Sequence, residues 1–139
     1  MTKKDGCTIL DEPAARVVGD WLRALNGGDA GALISLSHPD VEVGGPRGTG
    51  RGADLLLDWA ERSGIHLDPQ RAFGRGDTVV VEQEARWRSA ESGEMSGGQP
   101  VATVFVVRDG RVASVVRHDD LAGALKETGL DESREIGSG

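Results

Sequence analysis

Hydrophobic positions change their period once along this chain, and the change separates a helical first half from a stranded second half. Val17, Val18, Trp21, Leu22 and Leu25 recur at the spacing of one helix face, after Asp11 and Pro13 as a start signal and before Asn26-Gly27-Gly28 as a stop. Asp29 is placed to cap a second, short helix that buries Leu33, Ile34 and Leu36 and ends at His38-Pro39, because the residue before a proline resists the α region. Val41-Glu42-Val43 reads as a brief strand, the glycine cluster at 44–52 reads as turn, and ADLLLDWAERSG predicts a third helix with Leu56, Leu57, Trp59 and Ala60 inward. Beyond it the period falls to two. Residues 65–73, 78–88, 100–108 and 111–118 read as strands, and Asp109-Gly110 is a two-residue hairpin signal between the last two. A final helix follows at LAGAL, with Asp120 as its cap and Asp119 near its positive end.

Helices segregated ahead of a run of antiparallel strands predict an α+β domain with its helices on one face of a curved sheet, rather than an alternating βαβ fold. Residues 1–10 and 131–139 are polar and aperiodic, which predicts a flexible leader and a flexible tail around one domain at 11–130.

Composition narrows the class. A chain of 139 residues, 37% hydrophobic and 28% charged, is the size and make-up of one globular domain. No apolar run approaches the roughly 20 residues a membrane helix needs, and Met-Thr-Lys-Lys-Asp-Gly leads into no apolar segment, so the expected compartment is the cytoplasm. A net charge of -7 with scattered basic residues argues against a nucleic-acid partner. Cys7 is the single cysteine and has no disulfide partner in the chain. His38 and His66 lack partners at ligand spacing, so no metal is expected. The segment GTGRGA at 48–53 fits a phosphate-binding glycine pattern, but the hairpins that follow do not make a dinucleotide fold, and no cofactor is expected. Arg47, just before that segment, and Arg51, within it, are expected to flank the mouth of a pocket, either solvated or steering an acidic ligand.

The order of these elements, with LNGGDAGALISLSHPDVEV joining the first helices to the first strand, GRGADLLLDW opening the third helix, and VATVFVVRDGRVASVVRHDDLAGALKETGL closing the domain, resembles the SnoaL-like family of the nuclear transport factor 2-like superfamily. The resemblance covers about residues 12–130. It implies a cone-shaped α+β barrel, three N-terminal helices packed on a curved, mostly antiparallel sheet that encloses an apolar pocket, and a homodimer through the outer sheet face. It also implies a range of activities: polyketide cyclases, ketosteroid isomerases, epoxide hydrolases, and members without catalysis.

Strand alternation then assigns faces. Val79, Val81, Gln83, Ala85 and Trp87 share the apolar face, and Val80, Glu82, Glu84, Arg86 and Arg88 share the charged one. By the resemblance, the pocket face continues through Thr103, Phe105, Val115 and Arg117, and the dimer face through Ala102, Val104, Val106, Ser114 and Val116. The carboxylates of the known mechanisms, with the arginine and the histidine that accompany them, are missing at the matching positions, which read Val43-Gly44, Gln83, Ala85, Thr103 and Arg117, and the chain has no tyrosine. The candidate catalytic residues are therefore Arg117, with His118 and Asp119 as an acid–base pair where a bulge turns His118 inward. Arg117 itself has open alternatives: an internal pair with Glu42 or Asp119, an escape to the rim, or recognition of a ligand's carboxylate, enolate or phenolate. Trp21, Trp59, Gln83, Trp87, Thr103 and Phe105 are the candidate substrate-binding residues. The expected function is a pocket protein for a hydrophobic small molecule, an enzyme of cyclase or isomerase type on an aromatic polyketide-like substrate. The alternative is a non-catalytic binding or interaction protein on the same fold.

Overall fold

The apolar stripe of the first segment folds as α1, Pro13–Asn26, which buries Val18, Trp21, Leu22 and Leu25. The computed structural model describes residues 13–45, 48–63, 65–88, 94–130 and 135–138. The expectations for Cys7, Asp11, Arg47 and the 1–10 leader lie outside them. Asp29 caps α2, Ala30–Ser35, by accepting from Ala32 N at 3.0 Å. After the short α2 come β1 (Ser37–Gly45), β2 (Gly48–Arg51), α3 (Ala53–Ser63), β3 (Ile65–Arg75), β4 (Thr78–Arg88), β5 (Met95–Arg108), β6 (Arg111–His118), α4 (Leu121–Thr128) and β7 (Glu135–Ser138).

The strands form one open sheet in the order β2-β1-β6-β5-β4-β3-β7, antiparallel except where β1 runs parallel to β6. Its architecture is α+β, a curled, unclosed sheet with helices against it. The Asp109-Gly110 turn has φ of 54° and 76°, the paired positive values of a tight hairpin whose twist suits its strands.

Four boundaries differ from the sequence reading, each for a local reason. The first strand starts at Ser37 rather than Val41, because proline pushes His38 into extended backbone and a register shift between Ser37 and Glu42 leaves room for Pro39's missing N–H. Part of the glycine run is β2, paired to β1, where turns were expected. The fifth strand begins at Met95, since a register shift between Ala85 and Arg86 absorbs Gly97 and Gly98 at positive φ. Residues 135–138 of the expected loose tail pair with Arg71–Phe73 as β7, a strand with too little alternation to be seen in sequence.

Two cores lie on the two sides of this sheet. On the concave side α1, α2 and α3 contribute Trp21, Leu33 and Leu56 against Val41, Val81, Phe105 and Val115. Trp21 fixes the corner: its ring meets Phe105 edge-on at 5.4 Å, and its Nε1 donates to Ser37 Oγ, which donates on to Leu33 O. On the convex side Phe73, Val80, Ala102 and Val104 pack under α4 through Ala124 and Leu130. The valines of the outer face were expected to be buried by a second subunit. For Ala102 and Val104 the chain's own last helix does this, while Val106 and Val116 stay partly exposed. Asp120 sets that helix by capping it, accepting from Gly123 N at 2.7 Å, as its position predicted, a contact worth about 1 kcal/mol.

Candidate functional site

Arg117 is the last concave-face residue of β6. Alternation puts it on the side of Val115, opposite Thr103 on β5, at the point where the sheet ends and the chain turns toward α4. A cleft of about 850 Å³ opens there, with Arg117 and Asp119 on one side. The hairpin of β1 and β2 forms a second wall through Val43, Gly44, Gly45 and Gly50, and α3 a third through Leu55 and Trp59. Leu55 and Trp59 are four apart on α3, hence on one helix face.

Close approach explains the bareness of the glycine wall. A Cβ on Gly44 would stand 2.3 Å from Thr49 Cγ2, and one on Gly50 2.5 Å from Leu55 Cδ2. Gly44 is crowded by backbone as well, with Gly48 O at 2.6 Å and Thr49 Cα at 2.8 Å, so glycine there lets β1 and β2 pair closely, whereas at Gly50 the atom met is the flexible end of the Leu55 side chain. The surface left to a ligand is peptide backbone on one side and indole with isobutyl on the other. Leu55, 38% exposed, is the large hydrophobic residue left open to solvent among the described residues, and it lies in this cleft.

Electrostatically the cleft is unfinished. Arg117 makes no hydrogen bond or ion pair among the described residues. The expected internal partners do not serve: Glu42 points to the convex side and accepts from Ser114 Oγ at 2.9 Å, and Asp119 lines the cleft without pairing. A guanidinium cannot shed its proton, so it is available to any anion that enters.

The remaining predicted site residues are distributed differently. Trp59 lines the cleft beside Arg117 and Asp119. His118 is placed on the opposite face, in register with Ala102 of the convex core, because no bulge interrupts the last residues of β6. Trp21 and Phe105 are fully buried against each other. Trp87 is partly buried and packs on the concave core. Gln83 and Thr103 are sealed in that core, Thr103 Oγ1 donating to Gln83 Oε1 at 2.7 Å, and Gln83 Nε2 has no partner among the described residues. The concave face is thus closed around Gln83 and Thr103 and opens at its rim. Arg51 faces away from the cleft beside Glu42, bordering a small groove with His38, Asp40 and Arg108. The GTGRGA segment is an antiparallel strand leading into α3, the opposite of a dinucleotide crossover.

Sequence reasoning missed Leu55, which sits inside a Leu-Leu-Leu run whose middle member alone is fully buried, and it took Gly44, Gly45 and Gly50 for turn residues. These glycines lie within β1 and β2, held by backbone pairing, which leaves no hydrophobic period to read. Among the described residues no group of three His, Cys, Asp or Glu gathers as a metal site, and no helix is long and apolar enough to cross a membrane.

Known proteins agree on the architecture. The family model of the SnoaL-like domain matches residues 18–115. No curated protein matches this chain. Among solved structures, a nuclear transport factor 2-like protein from Cytophaga hutchinsonii superposes with a TM-score of 0.66 at 14% identity, covering 90% of this chain and 99% of its own. A candidate polyketide cyclase from Xanthomonas campestris pv. campestris gives 0.66 at 21% identity, covering 82% and 95%. The TerC protein, co-crystallised with polyporic acid, gives 0.65 at 21% identity, covering 84% and 97%. At such identities the likeness extends to the fold alone. With the family model spanning most of the domain, the chain belongs to the SnoaL-like family of the nuclear transport factor 2-like superfamily.

Proposed function

We propose that this protein binds a flat, largely apolar small molecule in the rim cleft and acts on it as a cofactor-free enzyme of the cyclase or isomerase type. One observation carries the reading: an unpaired guanidinium, a carboxylate, an indole and an exposed leucine converge on one cleft. The ligand's ring system lies between the Trp59 and Leu55 side and the glycine wall, and its polar edge faces Arg117. In the reaction, Asp119 takes a proton from a carbon next to a carbonyl, and the charge that develops on the carbonyl oxygen is met by Arg117. The enolate carbon then either adds to a second carbonyl of the same molecule, closing a ring, or is reprotonated elsewhere. The proton returns from Asp119 to the new alkoxide or carbon, so no redox partner is required. The candidate polyketide cyclase and the polyporic acid complex among the structural neighbours support an aromatic, polyketide-like substrate.

A second reading, ligand binding without chemistry, is favoured by the exposure of Asp119. The buried polar side chains among the described residues are Ser37, Gln83 and Thr103, so no desolvated carboxylate with proton-taking strength is present. The two readings separate in one experiment. Polyporic acid, 2-naphtholate and aromatic polyketones are titrated against wild type, Arg117→Leu and Asp119→Asn, following tryptophan fluorescence for binding and absorbance for turnover. Turnover lost in Asp119→Asn with binding retained supports the enzyme; binding that needs Arg117 without turnover supports the second reading. Binding indifferent to Arg117 sinks both. We propose, too, that the partly exposed Val106 and Val116 support a homodimer through the outer sheet face; a monomeric mass in sedimentation would refute it.

A further inference from the structure

Three of the cleft's glycines look alike in sequence and differ in space. At Gly44 a Cβ would strike the backbone of β2, and at Gly50 it would strike the end of the Leu55 side chain. Gly45 faces neither obstacle. Its φ is outside the left-handed region, and the nearest atoms to a Cβ built on it are Arg117 O at 3.8 Å, Nη2 at 3.9 Å and Nε at 4.0 Å, all ordinary contact distances. Alanine fits there, and a glycine in a strand costs stability relative to alanine unless something must come close to the backbone. The side chain nearest to that bare position is the guanidinium of Arg117. The edge it presents is the Nε–Nη2 pair, the edge that holds a planar two-oxygen anion in a fork of parallel hydrogen bonds.

Resting on the function proposed above and sharpening its ligand, we infer that Gly45 is a specificity-determining position. Its missing side chain keeps the Nε–Nη2 edge of Arg117 open, and the cleft therefore selects a ligand bearing a carboxylate on its flat ring system over one bearing a single phenolate or enolate oxygen. The carboxylate docks on that edge with its plane along the glycine wall. A methyl on residue 45 lies at contact distance from both nitrogens and blocks the approach of the second oxygen.

The test uses the full chain and four probes, 2-naphthoate, 2-naphthamide, 2-naphtholate and polyporic acid, with binding read by tryptophan fluorescence and folding by melting temperature. Wild type binds 2-naphthoate at least tenfold more tightly than 2-naphthamide or 2-naphtholate. Gly45→Ala melts at or above the wild-type temperature and loses about tenfold in affinity for 2-naphthoate, with little change for 2-naphtholate. Arg117→Lys keeps the charge but not the fork, and loses the preference for the carboxylate over 2-naphtholate. If Gly45→Ala binds 2-naphthoate as wild type does while Arg117→Leu abolishes binding, the role of Gly45 is overturned and the cleft reading stands. If Gly45→Ala fails to fold, glycine is required by the backbone and the inference is overturned as well. If no probe binds wild type, both fail.

Discussion

Arg86 stands on the convex face of β4, where Glu84 Oε1 accepts from its Nη2 at 2.7 Å and from its Nε at 3.2 Å, and Asp68 lies 3.4 Å away. The hydrogen bond to Glu84, and after it the charges of Glu84 and Asp68, raise the pKa of this guanidinium above its ordinary value. Arg117 stands on the concave face at the end of β6 and has neither bond nor ion pair among the described residues. The first is a solvated ion pair, the second a cation set beside a cleft with nothing to answer it. Charge alone does not distinguish them, since both are arginines on strands. What distinguishes them is whether the surrounding residues complete the arginine's bonding, and a group left incomplete inside a concave site is where a ligand's chemistry is missing.

The largest effect that tests this contrast is on binding. Arg117→Leu removes charge-assisted hydrogen bonds to a bound anion, each worth about 1.5–3 kcal/mol, or roughly 10- to 100-fold in affinity. Stability should move by less than about 0.5 kcal/mol, since the guanidinium holds nothing in the free protein. Fluorescence titration and urea unfolding of the same variant read both. A stability loss as large as the binding loss would show that Arg117 has a structural partner, and the contrast would collapse.

Asn26 extends the comparison to neutral groups, because it completes a pairing rather than leaving one open. At the end of α1 its Nδ2 donates to Leu67 O at 2.8 Å and its Oδ1 accepts from Leu67 N at 2.9 Å, so one side chain satisfies both backbone groups on a stretch of β3 that β7 does not reach. Asn26→Ala leaves that pair open on a sheet edge and should cost about 1–3 kcal/mol in urea unfolding, with ligand affinity unchanged.

These two residues also mark what could be read from the chain. Periodicity located α1, α3 and the strands at 65, 78 and 111 closely, because each buries a continuous face and burial is what sets the pattern. It missed β2 and β7, whose short polar or glycine-rich segments are held by backbone pairing alone. Arg117 was legible as a misplaced charge in an apolar alternation. Its lack of a partner was not, since Glu42 comes near only through the pairing of β1 with β6, and only the register of that pairing sends it to the other face. Asn26 read as a helix stop. Its second task, 41 residues away at Leu67, is a tertiary contact without local signature.

Gln83 tests the contrast from inside the core. Its Nε2 is buried without a partner, yet the residue lies behind Thr103 rather than in the cleft. Replacing both members of the pair with apolar groups of similar shape, Gln83→Met with Thr103→Val, removes the orphan and should hold stability or raise it by about 1 kcal/mol. Ligand affinity should be unchanged if the closed centre of the concave face is purely structural. A more stable variant that binds more weakly would carry the site inward to Gln83 and redraw its boundary.

The smallest effect belongs to Arg86 itself. Its side chain is 46% exposed and its carboxylate partners are about as open, so water screens the pair and the side chains lose entropy in forming it. Arg86→Ala should therefore change stability least of these variants, and the difference from wild type should shrink as salt is raised, because screening weakens exposed pairs first. Asp68 would remain in contact with His66 at 3.1 Å, so the acid is not stranded when the arginine goes. Urea unfolding at low and high ionic strength measures both claims. A large, salt-independent loss would mean that the convex cluster holds the β3 and β4 pair together, and that the better-bonded of the two arginines is the one the fold depends on.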